Sequence, residues 1–333
     1  MGKVSLIATV LNEAGSVAEL LNSVLAQSRQ PDEVVIVDGG SGDGTLDVLR
    51  SFSDKLPLRI LVEPGCNISQ GRNLAIESAQ GPIIACTDAG VHLDPQWLAE
   101  LVKPLEEELE KDPSLPSRPD VACGFFLAEP RTVFESTLGA TVLPDIEEIN
   151  PNKFLPSSRS VAFTKEAWQQ VGGYPEWLDY CEDLVFDFRL HRAGFRFAWV
   201  PSAIVHFRPR LTLSAFFRQY YRYARGDGKA DLWFWRHLAR YSAYTLALPI
   251  VIGGFWFPPL WGLAILGGLA YLYRPYKRLL PKTASFPWSK KIAAILYVPP
   301  IRLCGDLAKM AGYPVGVFWR MRHHHQIDMA VRG

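Results

Sequence analysis

Four short apolar runs, alternating with helical patterns, most constrain the fold of this chain. The runs are centred on Ile7, Ile36, Ile60 and residues 83–86, and they recur about every 24 to 29 residues. Such near-continuous apolar strands, separated by helices, are typical of a parallel sheet covered on both faces. The sequence therefore predicts an α/β fold with a mostly parallel sheet and helices on both faces.

Polar residues stand where three of these predicted strands end. Asn12 and Glu13 follow the first strand, Asp38 ends the second, and Asp88 follows the fourth. In an open α/β sheet, the carboxyl ends of the parallel strands form the edge where ligands bind. We therefore expect these side chains to share one ligand-binding edge. Taken alone, Asp88 could instead cap the helix predicted to start near Pro95.

Common phosphate-binding motifs are absent from these turns. The turn after the first strand reads LNEAGS, without the GxGxxG pattern that seats a dinucleotide, and no GxxxxGK[ST] occurs. A phosphate-bearing ligand would therefore be held by cations or a metal ion.

The formal net charge of +1 provides no field for nucleic acid, so no nucleic-acid partner is expected. The five cysteines form no CxxC pair, so we expect neither disulfides nor a zinc site.

A stretch of 33 residues without a charged side chain, 241–273, predicts association with a membrane. As one helix it would reach about 50 Å, whereas a hydrocarbon core is about 30 Å thick. Because Pro258 and Pro259 divide the stretch, we expect a transmembrane or re-entrant hairpin with the prolines at its tip. Basic residues flank both ends, which favours the cytoplasmic face for both. A buried hairpin in a soluble protein is the alternative.

Several segments within residues 3–235 together resemble the family 2 glycosyltransferases, which have the GT-A fold. In family order they are LNE, VIVDGGSGDGT, GRNLAIESAQG, TDAG, GGYPEWLDYCEDLVF and QYYRY. The resemblance implies that Asn12, Glu13 and Asp38 hold the nucleoside of a nucleotide sugar. It also implies that Arg72 lies near the diphosphate or sugar, and that Asp88 lies near the ribose and a metal ion.

The acidic pair Glu182–Asp183 is the candidate catalytic site. Inverting sugar transfer needs a group that takes a proton from the acceptor hydroxyl, and the resemblance assigns this role to Asp183. The alternative is that both acids only complement the dipole of the helix they open. Trp177 and Tyr180 precede the pair and are candidates for the acceptor site, because aromatic rings suit sugar faces.

One departure from the family pattern concerns the metal. The family usually has a second aspartate two positions after the first, and this chain has Gly90. A divalent cation, Mn²⁺ or Mg²⁺, prefers several ligands, so we expect His206 to join Asp88 as a ligand; a structural histidine is the alternative. Without a metal, arginines would neutralise the diphosphate. These arginines are Arg72, Arg218, Arg222 and Arg225.

The segment 211–225 combines an apolar face with arginines and predicts an interfacial helix. Gln219 and Arg222 resemble the family's QxxRW element, here QxxRY, which lies near the acceptor and diphosphate; Arg225 is a further candidate there. A plain amphipathic helix is the alternative. Arg159 is a candidate phosphate or acceptor contact. Residues 104–120 are predicted to be a solvated surface segment, and the tract 323–325 a solvated histidine tail.

These features predict three segments and one leading function. Residues 1–235 form a GT-A catalytic domain, 236–280 a hydrophobic membrane hairpin, and 281–333 an amphipathic membrane-proximal segment. We expect an inverting glycosyltransferase on the cytoplasmic face of the cell membrane. It would move a sugar from a nucleotide sugar, a UDP-sugar, to a lipid-linked or membrane-proximal glycan. The alternatives are a processive polysaccharide synthase and a non-catalytic nucleotide-sugar-binding scaffold.

Overall fold

The computed structural model describes residues 2–106 and 119–323, which divide into two compact units. The sheet unit comprises the described residues of Met1–Leu127 and Ile149–Phe207. The helical unit comprises those of Ala128–Glu148 and Arg208–Gly333. The predicted surface segment 104–120 and the histidine tract 323–325 lie mostly outside the described residues.

An eight-stranded sheet forms the centre of the sheet unit. In chain order its strands are β1 (Val4–Val10), β2 (Glu33–Asp38), β3 (Leu58–Val62), β4 (Ile83–Cys86), β5 (Val91–Leu93), β6 (Val121–Ala128), β7 (Val161–Thr164) and β8 (Phe197–Phe207). Their spatial order is β3-β2-β1-β4-β7-β6-β8-β5.

Helices connect these strands and make up most of the helical unit. In chain order, the helices of the described residues are α1 (Val17–Leu25), α2 (Thr45–Arg50), α3 (Ile68–Ser78), α4 (Trp97–Glu106), α5 (Val133–Val142), α6 (Lys165–Gln170), α7 (Glu182–Arg192), α8 (Leu213–Lys229), α9 (Phe234–Gly253), α10 (Pro259–Lys282) and α11 (Trp288–His323). Two short 3₁₀ turns, Ile146–Glu148 and Pro151–Lys153, complete them.

The prediction of a mostly parallel sheet holds only for the first four strands. β1 pairs in parallel with β2 and β4, and β2 pairs in parallel with β3. A parallel pair needs a crossover connection, and α1, α2 and α3 provide one after each of the first three strands. β7 runs antiparallel to β4 and β6, and β5 runs antiparallel to β8. The sheet is therefore mixed.

Alternation along β1 gives the sheet a core on each face. Leu6 packs into a buried cluster with Leu21 of α1, whereas Ile7 packs into a second cluster with Ile76 of α3 and Phe186 of α7. Successive side chains of a strand point to opposite faces, which explains why the strands read as continuous apolar runs. With both faces covered, the ends of the strands remain for a ligand.

Glycines allow α8 and α11 to pack closely in the helical unit. A Cβ atom added to Gly312 would collide with the carbonyl oxygen of Tyr221, and one added to Gly316 would collide with that of Arg225. Each larger side chain would separate the two backbones. The sequence pattern did not predict this contact, because the glycines become adjacent only when the helices pack.

The predicted helical hairpin is present as α9 and α10, with Pro258 and Pro259 at the turn. Among the described residues, however, no helix combines the length and apolar character that a membrane crossing requires. The expectation of a transmembrane helix is therefore not confirmed. The uncharged parts of the two helices are residues 241–253 and 259–273, which correspond to roughly 20 Å and 22 Å against a core of about 30 Å.

Candidate active site

Arg72 on α3 joins two of the predicted acidic positions. Its side chain is only 2% exposed, and its guanidinium donates to Asp88 Oδ1 at 2.8 Å and to Glu182 Oε1. Burial opposes the charge, but the neighbouring Cys86, Glu182 and Asp88 raise the pKa of Arg72 above its ordinary value. Arg72 therefore stays cationic and links the end of β4 to the start of α7.

Hydrogen bonds between α3 and the loop before α7 place Glu182 beside Arg72. Ser69 donates to the carbonyl oxygen of Leu178 at 2.9 Å, and the Asn73 amide donates to that of Tyr174 at 2.9 Å. Sequence reasoning did not single out Ser69 or Asn73. Their spacing of four residues puts both polar groups on one helix face, which was the available signal.

Asp183 opens α7 next to this ion pair. Burial, followed by the charge of Glu182, raises the pKa of Asp183 to about 7, although Arg72 opposes the shift. The backbone N–H of Leu184 donates to its Oδ1 at 2.9 Å. A carboxylate with a pKa near neutral pH is suited to general-base catalysis, because it is substantially ionised yet basic enough to accept a proton.

A second carboxyl group, which the sequence did not single out, lies one turn further along α7. Asp187 is 2% exposed, and its Oδ2 has no hydrogen-bond partner among the described residues. Burial, with the charge of Asp183 added, holds the pKa of Asp187 well above its ordinary value. Asp187 therefore favours its protonated form more strongly than an ordinary aspartate does.

Asp38 provides an acceptor at the end of β2. It is fully buried, and its Oδ1 accepts the backbone N–H groups of Gly40 and Ser41, each at 2.8 Å. Its Oδ2 has no partner within residues 2–106 and 119–323. A buried carboxylate oxygen without a partner is costly, so this atom fits a ligand that brings an N–H or O–H donor.

Asn12 and Glu13 hold the turn after β1 against the loop that follows β2. Asn12 adopts a left-handed backbone with φ of 56°, and its side-chain oxygen accepts the N–H of Gly42 at 3.0 Å. The N–H of Glu13 donates to Thr45 Oγ1 at 2.8 Å. The two residues thus lie at the same strand ends as Asp38, as predicted.

β1 separates Asp38 from Asp88. Val10 pairs with Asp38 on one side of β1, and Ile7 pairs with Cys86, two residues before Asp88, on the other. Two strand spacings correspond to about 10 Å. One extended ligand can therefore contact both carboxylates across the end of β1.

The second oxygen of Asp88 faces Arg159, whose Nε lies 3.3 Å from Oδ2. The Arg159 guanidinium also lies over the ring of Phe207, at 4.8 Å from its centroid. Arg159 therefore adds a second positive charge beside Asp88.

The ligands for a divalent cation are only partly assembled. His206 stacks on His92, and its Nε2 lies 3.9 Å from Asp94 Oδ2. Within the described residues, no group of three carboxylate, imidazole or thiolate ligands includes Asp88 or His206. A side chain at Gly90 would extend into open space. Both oxygens of Asp88 already face guanidinium groups, and the roles of Asp88 and His206 as metal ligands stay predictions.

The remaining candidates lie in two places. Trp177 and Tyr180 are half-buried in the loop before α7. Gln219, Arg222 and Arg225 lie on α8 in the helical unit, where the Gln219 amide donates to the hydroxyl of Tyr223 at 2.8 Å. Their predicted acceptor and diphosphate roles stay predictions.

Two family profiles match the sequence. Residues 5–157 match the profile described as Glycosyl transferase family 2, and residues 149–301 match Glycosyl transferase family group 2. Over 268 residues the chain is 26% identical to Glycosyltransferase AglE of Haloferax volcanii, which covers 77% of this chain and 82% of that protein. Over 239 residues it is 28% identical to Succinoglycan biosynthesis protein ExoA of Rhizobium meliloti. The aligned region covers 66% of this chain and 67% of that protein.

Among solved structures, the chain is similar to the mannosyltransferase PcManGT from Pyrobaculum calidifontis, in complex with GDP-Man and Mn²⁺. The TM-score is 0.55 at 18% identity, over 97% of this chain and 88% of that one. A likeness at this identity concerns the fold, and it supports a GT-A-like α/β architecture. Since the two family profiles together span residues 5–301, the chain belongs to the family 2 glycosyltransferases.

Proposed function

We propose that this glycosyltransferase transfers a sugar, with inversion, from a nucleotide sugar to a lipid-linked or membrane-proximal glycan. The observation that carries the proposal is the contact of Arg72 with both Asp88 and Glu182. Through it, the donor edge predicted at the strand ends and the base predicted on α7 belong to one cluster.

The free oxygen of Asp38 supports a nucleotide as the donor. A uracil ring presents an imide N–H that could donate to Asp38 Oδ2, which lacks a partner among the described residues. A charge-assisted hydrogen bond of this kind is worth about 1.5 to 3 kcal/mol. We therefore favour a UDP-sugar.

The diphosphate would lie toward Asp88. A Mn²⁺ or Mg²⁺ ion bound there would be held by Asp88 and by phosphate oxygens, and it would supply Lewis-acid stabilisation of the leaving group. Arg72 and Arg159 contact Asp88 from the protein side and add positive charge. This charge favours the negative diphosphate that develops as the sugar departs.

Asp183 would act on the acceptor. Its carboxylate takes the proton from an acceptor hydroxyl while that oxygen attacks the anomeric carbon. The bond from the anomeric carbon to the diphosphate breaks, and its electron pair leaves with the nucleoside diphosphate. The single displacement inverts the configuration at the anomeric carbon.

Exposed aromatic side chains at the hairpin turn support a membrane-proximal acceptor. Phe255, Trp256 and Phe257 are 76%, 79% and 60% exposed. A contiguous apolar surface with basic flanks is typical of a segment that inserts into the membrane interface. We propose attachment to the cytoplasmic face of the cell membrane. The name of the relative ExoA, a succinoglycan biosynthesis protein, supports a polysaccharide or glycolipid acceptor.

A donor-panel assay of nucleotide release in native membrane extract tests the proposal, with and without chelator. We expect Asp183→Asn to lose roughly a hundredfold to ten-thousandfold in turnover while it still binds nucleotide. The matched control is Asp54→Asn, because Asp54 is an exposed aspartate of the sheet unit. The same assay is run on His206→Ala over a range of metal concentrations. If this variant needs a different metal concentration from the wild type, His206 is a metal ligand.

Two results would contradict the proposal. Wild-type turnover by Asp183→Asn would exclude Asp183 as the base. A ladder of products, rather than one added sugar per acceptor, would favour a processive polysaccharide synthase.

A further inference from the structure

A second group of charges lines a cavity of about 40 Å³ in the helical unit. The cavity lies among α5, α8 and α11, and its walls include Phe216, Tyr220, Arg302, Asp306 and Lys309. A water needs about 10 to 15 Å³ of such space, so the cavity has room for a few waters or a small polyatomic anion. None of these residues was a candidate for glycosyl transfer.

Asp306, the carboxylate in the cavity wall, is engaged by other groups. Arg240 Nε donates to its Oδ1 at 2.8 Å, and the Tyr271 hydroxyl donates to its Oδ2 at 2.7 Å. The Tyr244 hydroxyl lies 3.3 Å from the same oxygen. Burial opposes ionisation, but the bonds from Tyr271 and Arg240 hold the pKa of Asp306 below its ordinary value. Its negative charge is therefore shared between Arg240, which donates to it, and the nearby Arg302.

Arg302 lines the cavity as one of its two cations. Its Nε is buried and has no hydrogen-bond partner among the described residues. The guanidinium lies over the ring of Tyr271, 4.9 Å from the centroid, which offers the cation only a weak, non-hydrogen-bonding contact.

Lys309 is the other cation of the cavity. Its Nζ lies over the ring of Tyr220, at 4.8 Å from the centroid. Burial, followed by the charge of Arg240, lowers the pKa of Lys309 to about 8, and the charge of Arg302 lowers it further. The carboxylates of Asp306 and Asp227 act in the opposite direction. Asp227 itself lies 3.0 Å from His237. The positive charge of the cavity is thus incompletely balanced.

We propose that this cavity binds a phosphate group, with Arg302 and Lys309 as its cationic ligands. Such an anion supplies the acceptor that Arg302 Nε lacks, and it adds negative charge beside two cations that share Asp306 with Arg240. The group could belong to a lipid headgroup or to free phosphate in solution. The site does not depend on the proposed glycosyl transfer.

The pKa of Lys309 itself provides a local measurement. Lysines are dimethylated with ¹³C-formaldehyde and a borane reductant, which keeps their charge, and the Lys309 signal is assigned by its loss in Lys309→Arg. The signal is titrated with pH alone, with inorganic phosphate, and with phosphatidylcholine vesicles with or without phosphatidic acid. We expect the anion to move the titration midpoint upward, because it stabilises the protonated amine.

Variants decide whether the response belongs to the cavity. Arg302→Gln should abolish it, and Arg302→Lys, which keeps the charge but loses the Nε donor, should weaken binding about tenfold. Lys290→Gln is the matched control, because it removes one charge from an exposed position on the same helix. Circular dichroism and thermal melting verify that each variant is folded.

The outcomes distinguish a lipid headgroup from free phosphate, and they distinguish a failure of this site from a failure of the proposed glycosyl transfer. A response to inorganic phosphate assigns free phosphate, whereas a response only to phosphatidic acid assigns a lipid headgroup. No response to either, or an equal loss in Lys290→Gln and Arg302→Gln, overturns the site. Asp183→Asn should respond like the wild type, so a failure of the proposed glycosyl transfer would leave this result unchanged.

Discussion

Replacing Asp183 with asparagine should stabilise the protein at alkaline pH while it abolishes turnover. In the folded protein, burial and the charge of Glu182 raise the pKa of Asp183 from 3.8 to about 7. Between these values the folded protein holds a proton that the unfolded chain releases. Below its unfolded pKa, Asp183 therefore does not lower the free energy of unfolding. The loss of stability grows as the pH rises and is complete above the folded pKa.

The size of the effect follows from that interval. At 1.36 kcal/mol per pH unit, the interval from 3.8 to about 7 corresponds to an upper limit of about 4 kcal/mol. Asparagine has no charge to desolvate, so it escapes this cost. The stabilisation by Asp183→Asn should grow by about 2 to 3 kcal/mol between about pH 5 and about pH 8.

Urea unfolding of both proteins at the two pH values measures this difference directly. Asp54→Asn is the control, because Asp54 is exposed, and its effect on the free energy of unfolding should be small at both values. A stabilisation by Asp183→Asn that is the same at both pH values would refute the raised pKa. In the wild type, kcat/KM should rise with pH through about 7 as the base loses its proton.

Three further predictions concern other parts of the molecule. Asp38→Asn should raise the KM for the donor about 10- to 100-fold, because the buried acceptor oxygen loses its charge; an unchanged KM in donor titrations would exclude the assigned role. Gly90→Asp should fit without a clash, and it adds a carboxylate near Asp88. The Mn²⁺ concentration for half-maximal activity should therefore fall about tenfold. An unchanged Mn²⁺ titration would argue against a metal there. Gly312→Ala should destabilise the helical unit by about 1 to 3 kcal/mol through its collision with α8, whereas Gly267→Ala, which meets open space on α10, should stabilise it by up to about 1 kcal/mol. Thermal melting compares these two variants, and equal melting temperatures would contradict the close packing.

Much of the candidate site could be predicted from the chain alone. The positions of Asn12, Glu13, Asp38 and Asp88 follow from local periodicity, because a buried strand that ends in a polar residue presents it at the sheet edge. The proposed role of Asp183 as the base rests on the family resemblance. Arg72 was assigned to the diphosphate, but its ion pair with Glu182, 110 residues away, was not predicted.

Features that depend on distant contacts escaped prediction. Asp187 shows no distinctive local pattern, and its raised pKa arises from burial in the packed protein. The antiparallel half of the sheet and the mixed order of its strands also depend on how the chain returns after β4. Near His206, only folding revealed that His92 and Asp94 are the neighbours of the imidazole.

The sequence by itself determined the first four strands, the helices between them and the polar residues at the strand ends, because these depend on the spacing of apolar residues along a few turns. Tertiary structure alone decided which of those polar groups meet, and with what pKa. Charge and burial act over a few ångströms in space, and residues as distant in the chain as Arg72 and Glu182 come within that range only after the chain has folded.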